Sequence, residues 1–547
     1  MKDYPLYRTD YYGTFREFVG GIAKYGEKPA ISQYDRNGNK KVRSYRQLCS
    51  DVGRLTGYLV SKRMDGKRTA VAGENSYDWI VSFLAVTCAG GVAICIDTDQ
   101  SDETITDCMR RADTELAIVS ESVADLSDSV LGSANVIIMD GGDTGKGGHV
   151  TVSGAIGENA RANDSDMRTA DPDDPCAVMF TSGTVSKPKA VSLTHRSMLN
   201  NAAGAVATVD LGRTIFSGLP LFHAYGLNCA LFYSLVKGSS FTLGGRMRFI
   251  IRDTFLSESA TVYCVPLILE VIYRQGVENA RRAGLEKKLD ARLKAFSSGN
   301  IIRKKLTDGS ADELRRACFG HIRMIVCGGA YVNPEVAKNM EALGVTVFQG
   351  YGITECSPLV SVSRNKKHDR DTVGVLLPGY EIRFSSEGEI LLRGPSVMKE
   401  YYRDPEATAQ VLSPDGWFST GDIGEMSGDG FLKITGRLKN IIVLNNGDKI
   451  SPEKIETMLL RIPMIKEARV YGAPMGVGGD NVQPAVTVYP DPEITGGMEQ
   501  YEVAASLRSE IEKVNSTLPA YQQVRMINIR ETPFEKTATS KIKRNDN

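Results

Sequence analysis

The segment Phe180-Thr181-Ser182-Gly183-Thr184-Val185-Ser186-Lys187-Pro188-Lys189 crowds hydroxyls, a glycine and two lysines into one turn. It directly follows a short apolar run, Cys176-Ala177-Val178-Met179, that reads as a buried strand. Such a turn suits a polyphosphate. Hydroxyls and backbone N–H groups donate to phosphate oxygens, glycine allows close approach and lysine supplies charge. The spacing is not that of a Walker A loop, because no second glycine precedes the lysine and no Ser or Thr follows it. A different nucleotide-handling architecture is implied, against the plainer reading of a polar surface loop.

Further residues along the chain could serve the same chemistry. Leu219-Pro220-Leu221-Phe222-His223-Ala224-Tyr225-Gly226-Leu227 places a histidine on an apolar segment, which alone reads as a core histidine. Cys327-Gly328-Gly329-Ala330 follows a buried strand, and its glycines let backbone lie flat against a planar group. Gln349-Gly350-Tyr351-Gly352-Ile353-Thr354-Glu355 combines a ring that could cover a base, a hydroxyl for a phosphate and a carboxylate for Mg²⁺, which prefers hard oxygen ligands. Asp422 closes Gly416-Trp417-Phe418-Ser419-Thr420-Gly421-Asp422, and Gly436-Arg437-Leu438-Lys439 lies downstream. Pro533 through Ile542 ends in Ser540-Lys541-Ile542, in isolation a basic, solvated tail.

These residues need a scaffold, and composition bounds it. At 547 residues the chain exceeds one ordinary core. An apolar fraction of 42% and a charged fraction of 24% are those of a soluble globular protein. Lys+Arg and Asp+Glu balance at 66 each, which gives no support to nucleic acid or bulk membrane attraction. Ten scattered cysteines without a CxxC pair suit reduced thiols in a cytoplasm. Met1-Lys2-Asp3-Tyr4-Pro5 has no apolar signal core and reads as mature sequence. The uncharged stretch from Trp79 to Ile96 is divided by Gly90-Gly91, so it reads as a buried helix followed by a core strand rather than a transmembrane segment.

Apolar runs at 69–72, 116–119, 136–139 and 324–327 alternate with helical patterns, the mark of layered α/β architecture. Residues 140–175 look like a surface excursion. Beyond 437–440 the pattern becomes compact α+β, with Ser451-Pro452-Glu453 starting a helix.

Because these motifs stand in a consistent order, the chain resembles the adenylate-forming superfamily of acyl-CoA synthetases, carrier-protein-loading adenylation domains and firefly luciferase. The resemblance implies a large multi-layer N-terminal adenylation domain over 1–436, a hinge at 437–440 and a small mobile lid domain over 441–547. It implies nucleotide contacts at Thr181, Ser182, Gly183, Thr184 and Lys189, at Gly328, Gly329 and Ala330, and at Gln349, Gly350, Tyr351 and Gly352. It assigns Thr354 to the α-phosphate, Glu355 to Mg²⁺, His223 to the substrate carboxylate, and Asp422 with Arg437 to the ribose. Lys439 falls at the hinge position, Leu444-Asn445-Asn446-Gly447 at a pantetheine tunnel, and Lys541 at the catalytic lysine. The chain departs from the family pattern at Val185, Ser186, Ala190 and Ser540.

The implied reaction has two steps. A carboxylate attacks the α-phosphate of ATP with loss of pyrophosphate, and a thiol of coenzyme A then displaces AMP. The segment from Gly284 to Leu306 carries Leu285, Leu289, Leu293 and Phe296 at helical spacing, with Lys287, Lys288, Arg292 and Lys294 on other faces. It is similar to a basic insertion in bacterial fatty acyl-CoA synthetases, as is 440–453. A medium- or long-chain fatty acid is therefore expected, with weak peripheral membrane contact through the basic helix as a further expectation. The alternatives are an enzyme loading a carrier-protein phosphopantetheine and a catalytically impaired relative that binds nucleotide or acyl ligand.

Overall fold

The computed structural model describes residues 4–139, 148–158, 168–181, 188–245, 247–298, 308–366, 369–444, 448–475, 481–535, 542 and 544. Among these residues two large sheets dominate. An eight-stranded sheet sets Pro175–Phe180, Val92–Ile96, Arg68–Ala72, Leu116–Val119 and Val136–Ile138 side by side in parallel. A nine-stranded sheet does the same with Thr346–Gly352, Met324–Cys327, Thr261–Cys264 and Thr214–Ser217.

Strand periodicity explains how the layers form, because successive side chains leave a strand on opposite faces. Val71, Cys95 and Ile118 pack inward on the helices Phe15–Ile22, Tyr45–Ser61 and Tyr77–Cys88. Their neighbours Ala70, Ile94 and Ala117 face the other way, onto Ile105 and Met109 of helix Asp102–Arg111. The nine-stranded sheet repeats the arrangement. Ile215 and Phe241 join the central helices, while Phe216, Val262 and Ile325 meet Leu269, Leu314 and Met340 of outer helices. The result is helix–sheet–helix–sheet–helix.

The uncharged stretch near residue 80 belongs to this interior. Ser76 caps helix Tyr77–Cys88 by accepting from the Trp79 N–H. Gly90, at φ +72°, turns the chain into strand Val92–Ile96. No helix among the described residues is long and apolar enough to cross a membrane.

The basic insertion forms helix Glu286–Ser297, whose Leu289 is buried in the outer cluster with Leu285 and Leu293 beside it. Arg292, expected on an outer face, is buried instead. Its Nε donates to the Ala342 carbonyl at 2.8 Å while its aliphatic stem packs inside.

Residues beyond 439 build a three-stranded sheet, Ile465–Met475, Asn481–Pro490 and Met526–Ile529. Helices Pro452–Leu459 and Gln500–Asn515 cover it, giving a core of its own around Leu459, Val470, Val486 and Leu507. Ser451 is the N-cap residue, but its hydroxyl does not cap the helix. It donates to the Thr435 carbonyl at 2.6 Å and so ties this part of the chain to the last strand before it.

Candidate functional site

The strand Pro175–Phe180 and its antiparallel neighbour Ala190–Thr194 pair as far as Phe180 and Ala190. Just beyond that pair, the Thr181 N–H donates to the Lys189 carbonyl at 3.0 Å and the Lys189 N–H donates to Thr181 Oγ1 at 3.3 Å. Lys189 Nζ sits 4.4 Å from the ring centre of Tyr401. Ser182, Gly183 and Thr184 lie outside the described residues.

Two other motifs meet on neighbouring strands of the nine-stranded sheet. Cys327 pairs with Gln349, so Gly328-Gly329-Ala330, just past one strand, lie beside Gly350-Tyr351-Gly352, the last residues of strand Thr346–Gly352, at the carboxyl ends where ligands of open α/β sheets bind. Gly329 has φ +86°, which favours glycine. The backbones are close, since a Cβ on Gly328 would lie 3.2 Å from the Gly350 carbonyl oxygen. The Gln349 side chain donates to the Arg370 carbonyl at 2.6 Å.

Asp422 and Arg437 are cross-strand partners on strands Phe418–Met426 and Leu432–Arg437. Arg437 Nε lies 2.7 Å from Asp422 Oδ1, and the Tyr351 hydroxyl donates to Asp422 Oδ2 at 2.6 Å. The carboxylate is buried. Burial first, then the charge of Asp422, pushes the Tyr351 phenol well above its ordinary value, so it stays a donor. Lys439 follows in the turn Leu438–Asn440, where desolvation and then Arg437 hold its ammonium below the usual lysine range.

Thr354 and Glu355 begin the tight turn Thr354–Cys356. The turn depends on Gly352, where a Cβ would fall 2.2 Å from the Pro358 carbonyl oxygen. Glu355 is held twice by one distant segment. Its Oε1 accepts from the Tyr401 hydroxyl at 2.9 Å, and its carbonyl accepts from the Met398 N–H at 2.7 Å. No group of three His, Cys, Asp or Glu among the described residues could hold a metal. A lone carboxylate still fits Mg²⁺, which is commonly bound through one or two carboxylates plus substrate phosphates.

His223 precedes a π-helix, Tyr225–Phe232. Its Nε2 is sealed from solvent with no hydrogen-bond partner among the described residues. Desolvation pushes its pKa down, which keeps the ring neutral. Asn228 of the π-helix donates to the carbonyls of Met198, at 3.0 Å, and Ser357, which ties this segment to the Thr354–Cys356 turn.

The structure thus joins Tyr351, Asp422 and Arg437 directly, and Lys189 to Glu355 through Tyr401. No hydrogen bond among the described residues links the His223 side chain to the other candidates. Gly447 and Lys541 lie outside the described residues. Sequence reasoning missed Tyr401, which stands 46 positions from Glu355 inside Glu400-Tyr401-Tyr402-Arg403, with no periodicity or motif chemistry to single it out.

The strand ends thus present two groups, Tyr351 with Asp422 and Arg437, and Lys189 with Tyr401 and Glu355. Residues 18–402 match the AMP-binding enzyme family and residues 439–547 match the AMP-binding enzyme C-terminal domain; the chain belongs to the AMP-binding enzyme family. It is 28% identical over 534 residues to long-chain-fatty-acid–CoA ligase FadD15 of Mycobacterium bovis, covering 88% of this chain and 86% of that protein. It is also 28% identical to long-chain-fatty-acid–CoA ligase 5 of Rattus norvegicus, covering 96% and 85%. In fold it is similar to the anthranilate CoA ligase AuaEII in complex with anthranoyl-AMP, with a TM-score of 0.78 at 18% identity over 98% of this chain and 96% of the other. The o-succinylbenzoate CoA synthetase of Bacillus subtilis gives 0.73 at 20% identity, covering 96% and 97%.

Proposed function

We propose that this enzyme activates a carboxylic acid with ATP, forming an acyl-adenylate and pyrophosphate, and then transfers the acyl group to the thiol of coenzyme A. The observation that carries this reading is the buried Asp422 carboxylate, with Tyr351 on one oxygen and Arg437 on the other. A paired acceptor beside an aromatic ring suits a ribose and its base. The names of the relatives favour a long-chain fatty acid as the substrate, within the medium- or long-chain range expected.

In this reading Asp422 and Arg437 orient the ribose, Tyr351 covers adenine, and Gly328, Gly329, Ala330, Gln349, Gly350 and Gly352 form the wall around it. Thr181, Ser182, Gly183, Thr184 and Lys189 bind the phosphates, and Thr354 meets the α-phosphate. Mg²⁺, held by Glu355, would supply charge screening at the phosphates. His223, neutral, hydrogen-bonds the incoming acid once its Nε2, covered and unpartnered among the described residues, is opened to it.

Two anions must approach one another in the first step, so the barrier is largely electrostatic. Lys541 neutralises that junction, and its replacement by alanine is expected to cost about 10²–10³ in adenylation rate. Residues 441–547 then rotate about 437–440 at Lys439, withdrawing Lys541 and admitting the thiol past Gly447. The ten cysteines are unpaired, which favours a reducing, cytoplasmic compartment. Helix Glu286–Ser297 turns its leucines onto the body, so any membrane contact there would be electrostatic and weak.

Pyrophosphate release with a panel of acids, followed by thioester formation with coenzyme A or with a holo carrier protein, tests the reading. Release with fatty acids and transfer to coenzyme A is the expected result. Transfer to the carrier protein alone would change the acceptor, and no release with any acid would overturn the reading.

A further inference from the structure

Tyr401 stands where the two large sheets face each other. The strand Glu400–Tyr401 extends the eight-stranded sheet by pairing with Ala190–Thr194, the strand that begins just after Lys189. Tyr401 lies opposite Val191, and the N–H groups of Lys399 and Tyr402 donate to the carbonyls of Ser192 and Ala190. Its side chain crosses to the other sheet. The hydroxyl donates to Glu355 Oε1 at 2.9 Å, in the turn that follows strand Thr346–Gly352, and the ring face carries Lys189 Nζ at 4.4 Å. The side chain is buried, and its backbone N–H accepts no slack, donating to Thr408 Oγ1 at 3.0 Å.

We propose that Tyr401 is a positioning residue that holds the Glu355 carboxylate and the Lys189 ammonium in register with each other, so that the cation and metal sides of the phosphate site are set by one side chain. The inference rests on the proposed roles of Glu355 and Lys189. Glu355 Oε1 is fixed by the phenol, which leaves Oε2 to take a divalent cation. Lys189 lies against the ring face, and no carboxylate among the described residues pairs with it, so its charge stays available to an anion. A carboxylate partner in the place of the ring would pair the lysine and oppose phosphate binding. The ring steers the ammonium without neutralising it.

Two variants separate the two contacts. Tyr401→Phe keeps the ring and removes only the hydroxyl, and Tyr401→Leu removes both. Titration of Mn²⁺ in the presence of ATP, followed by electron paramagnetic resonance, reads the metal directly. Calorimetric titration of ATP without metal reads the cationic side. Tyr401→Phe is expected to weaken Mn²⁺ binding about tenfold, as for a lost hydrogen bond to a charged acceptor, with metal-free ATP binding unchanged. Tyr401→Leu is expected to weaken both, the second by a few-fold. Thermal melting of each variant checks folding, and Tyr401→Phe, which preserves the buried ring, keeps the test open if Tyr401→Leu does not fold. Wild-type Mn²⁺ affinity in Tyr401→Phe overturns the inference. Failure of the wild-type enzyme to bind Mn²⁺ with ATP, or to release pyrophosphate with any acid, sinks the underlying assignment of the site instead.

Discussion

Arg437, the last residue of its strand, reaches back across one ladder step to Asp422, Nε to Oδ1 at 2.7 Å. Two residues later comes Lys439, the proposed pivot. The buried carboxylate proposed to hold the ribose is therefore coupled through a single ion pair to the start of the segment proposed to rotate. Nucleotide binding and hinge position would share a group.

Asp422→Asn keeps shape and removes charge. It leaves Arg437 without its ionic partner and presents a poorer acceptor to a diol. A loss of about 2 kcal/mol is expected, in the range for a hydrogen bond to a charged group, seen as a rise of roughly thirtyfold in the KM for ATP. Steady-state kinetics of pyrophosphate release measure it. An unchanged KM would remove Asp422 from the nucleotide site.

Gly352→Ala tests the turn that presents Thr354 and Glu355. The new Cβ would lie 2.2 Å from a backbone oxygen of Pro358, which has no flexible end to yield. The turn must shift, at a cost of about 1–3 kcal/mol, the usual range for overpacking. The expected signature is a lower melting temperature together with loss of acid-dependent pyrophosphate release. Normal activity would show that the turn geometry is not needed.

Acid should weaken the fold through His195. Its Nδ1 accepts the Phe15 N–H at 3.2 Å, and desolvation lowers its pKa from 6.5 to about 4. The unfolded chain then binds the proton more tightly than the folded one. The stabilisation is complete above pH 6.5, declines as pH falls, and is lost below about pH 4. It amounts to about 3 kcal/mol at roughly 1.4 kcal/mol per pH unit. Urea unfolding across this window should show the slope, and His195→Gln should flatten it. An equal slope in the variant would assign it to other groups.

Arg544 braces the C-terminal part. Its Nη2 contacts both oxygens of buried Glu456, at 3.0 and 2.7 Å, and its carbonyl accepts from Arg469 at 2.7 Å. Arg544→Ala leaves the Glu456 carboxylate with the Val470 N–H, at 2.7 Å, but without its cation, and should cost about 2 kcal/mol, in the range for a hydrogen bond to a charged group. Hydrogen exchange at strand Ile465–Met475 in the full chain reads the loss. Adding Glu456→Gln should recover much of it, and no recovery would contradict the pairing.

The parallel strands were legible because buried strands read as unbroken apolar runs. Val92–Ile96 and Leu116–Val119 end where the sequence pattern ends. The Gly90 break likewise separated helix from strand. Contacts across the fold were not legible. The Ser451 hydroxyl does not accept from the helix as its expected cap would; it is turned to donate to the distant Thr435 carbonyl instead. Arg292 went inside, where its guanidinium lies over the Phe296 ring and its Nε meets the Ala342 carbonyl, a contact no local pattern announces. Tyr351, Asp422 and Arg437 were grouped through motif order and resemblance, whereas Tyr401, lying outside every motif, emerged only once Glu355 and Lys189 had positions in space.

The most direct test of the chemistry follows oxygen. A fatty acid labelled with ¹⁸O in both carboxyl positions is turned over with ATP and coenzyme A, and the released nucleotide is weighed by mass spectrometry. Attack of the carboxylate on the α-phosphate predicts AMP carrying one ¹⁸O, left behind when the thiol takes the acyl group. Unlabelled AMP, or label appearing in inorganic phosphate beside ADP, would contradict adenylate formation.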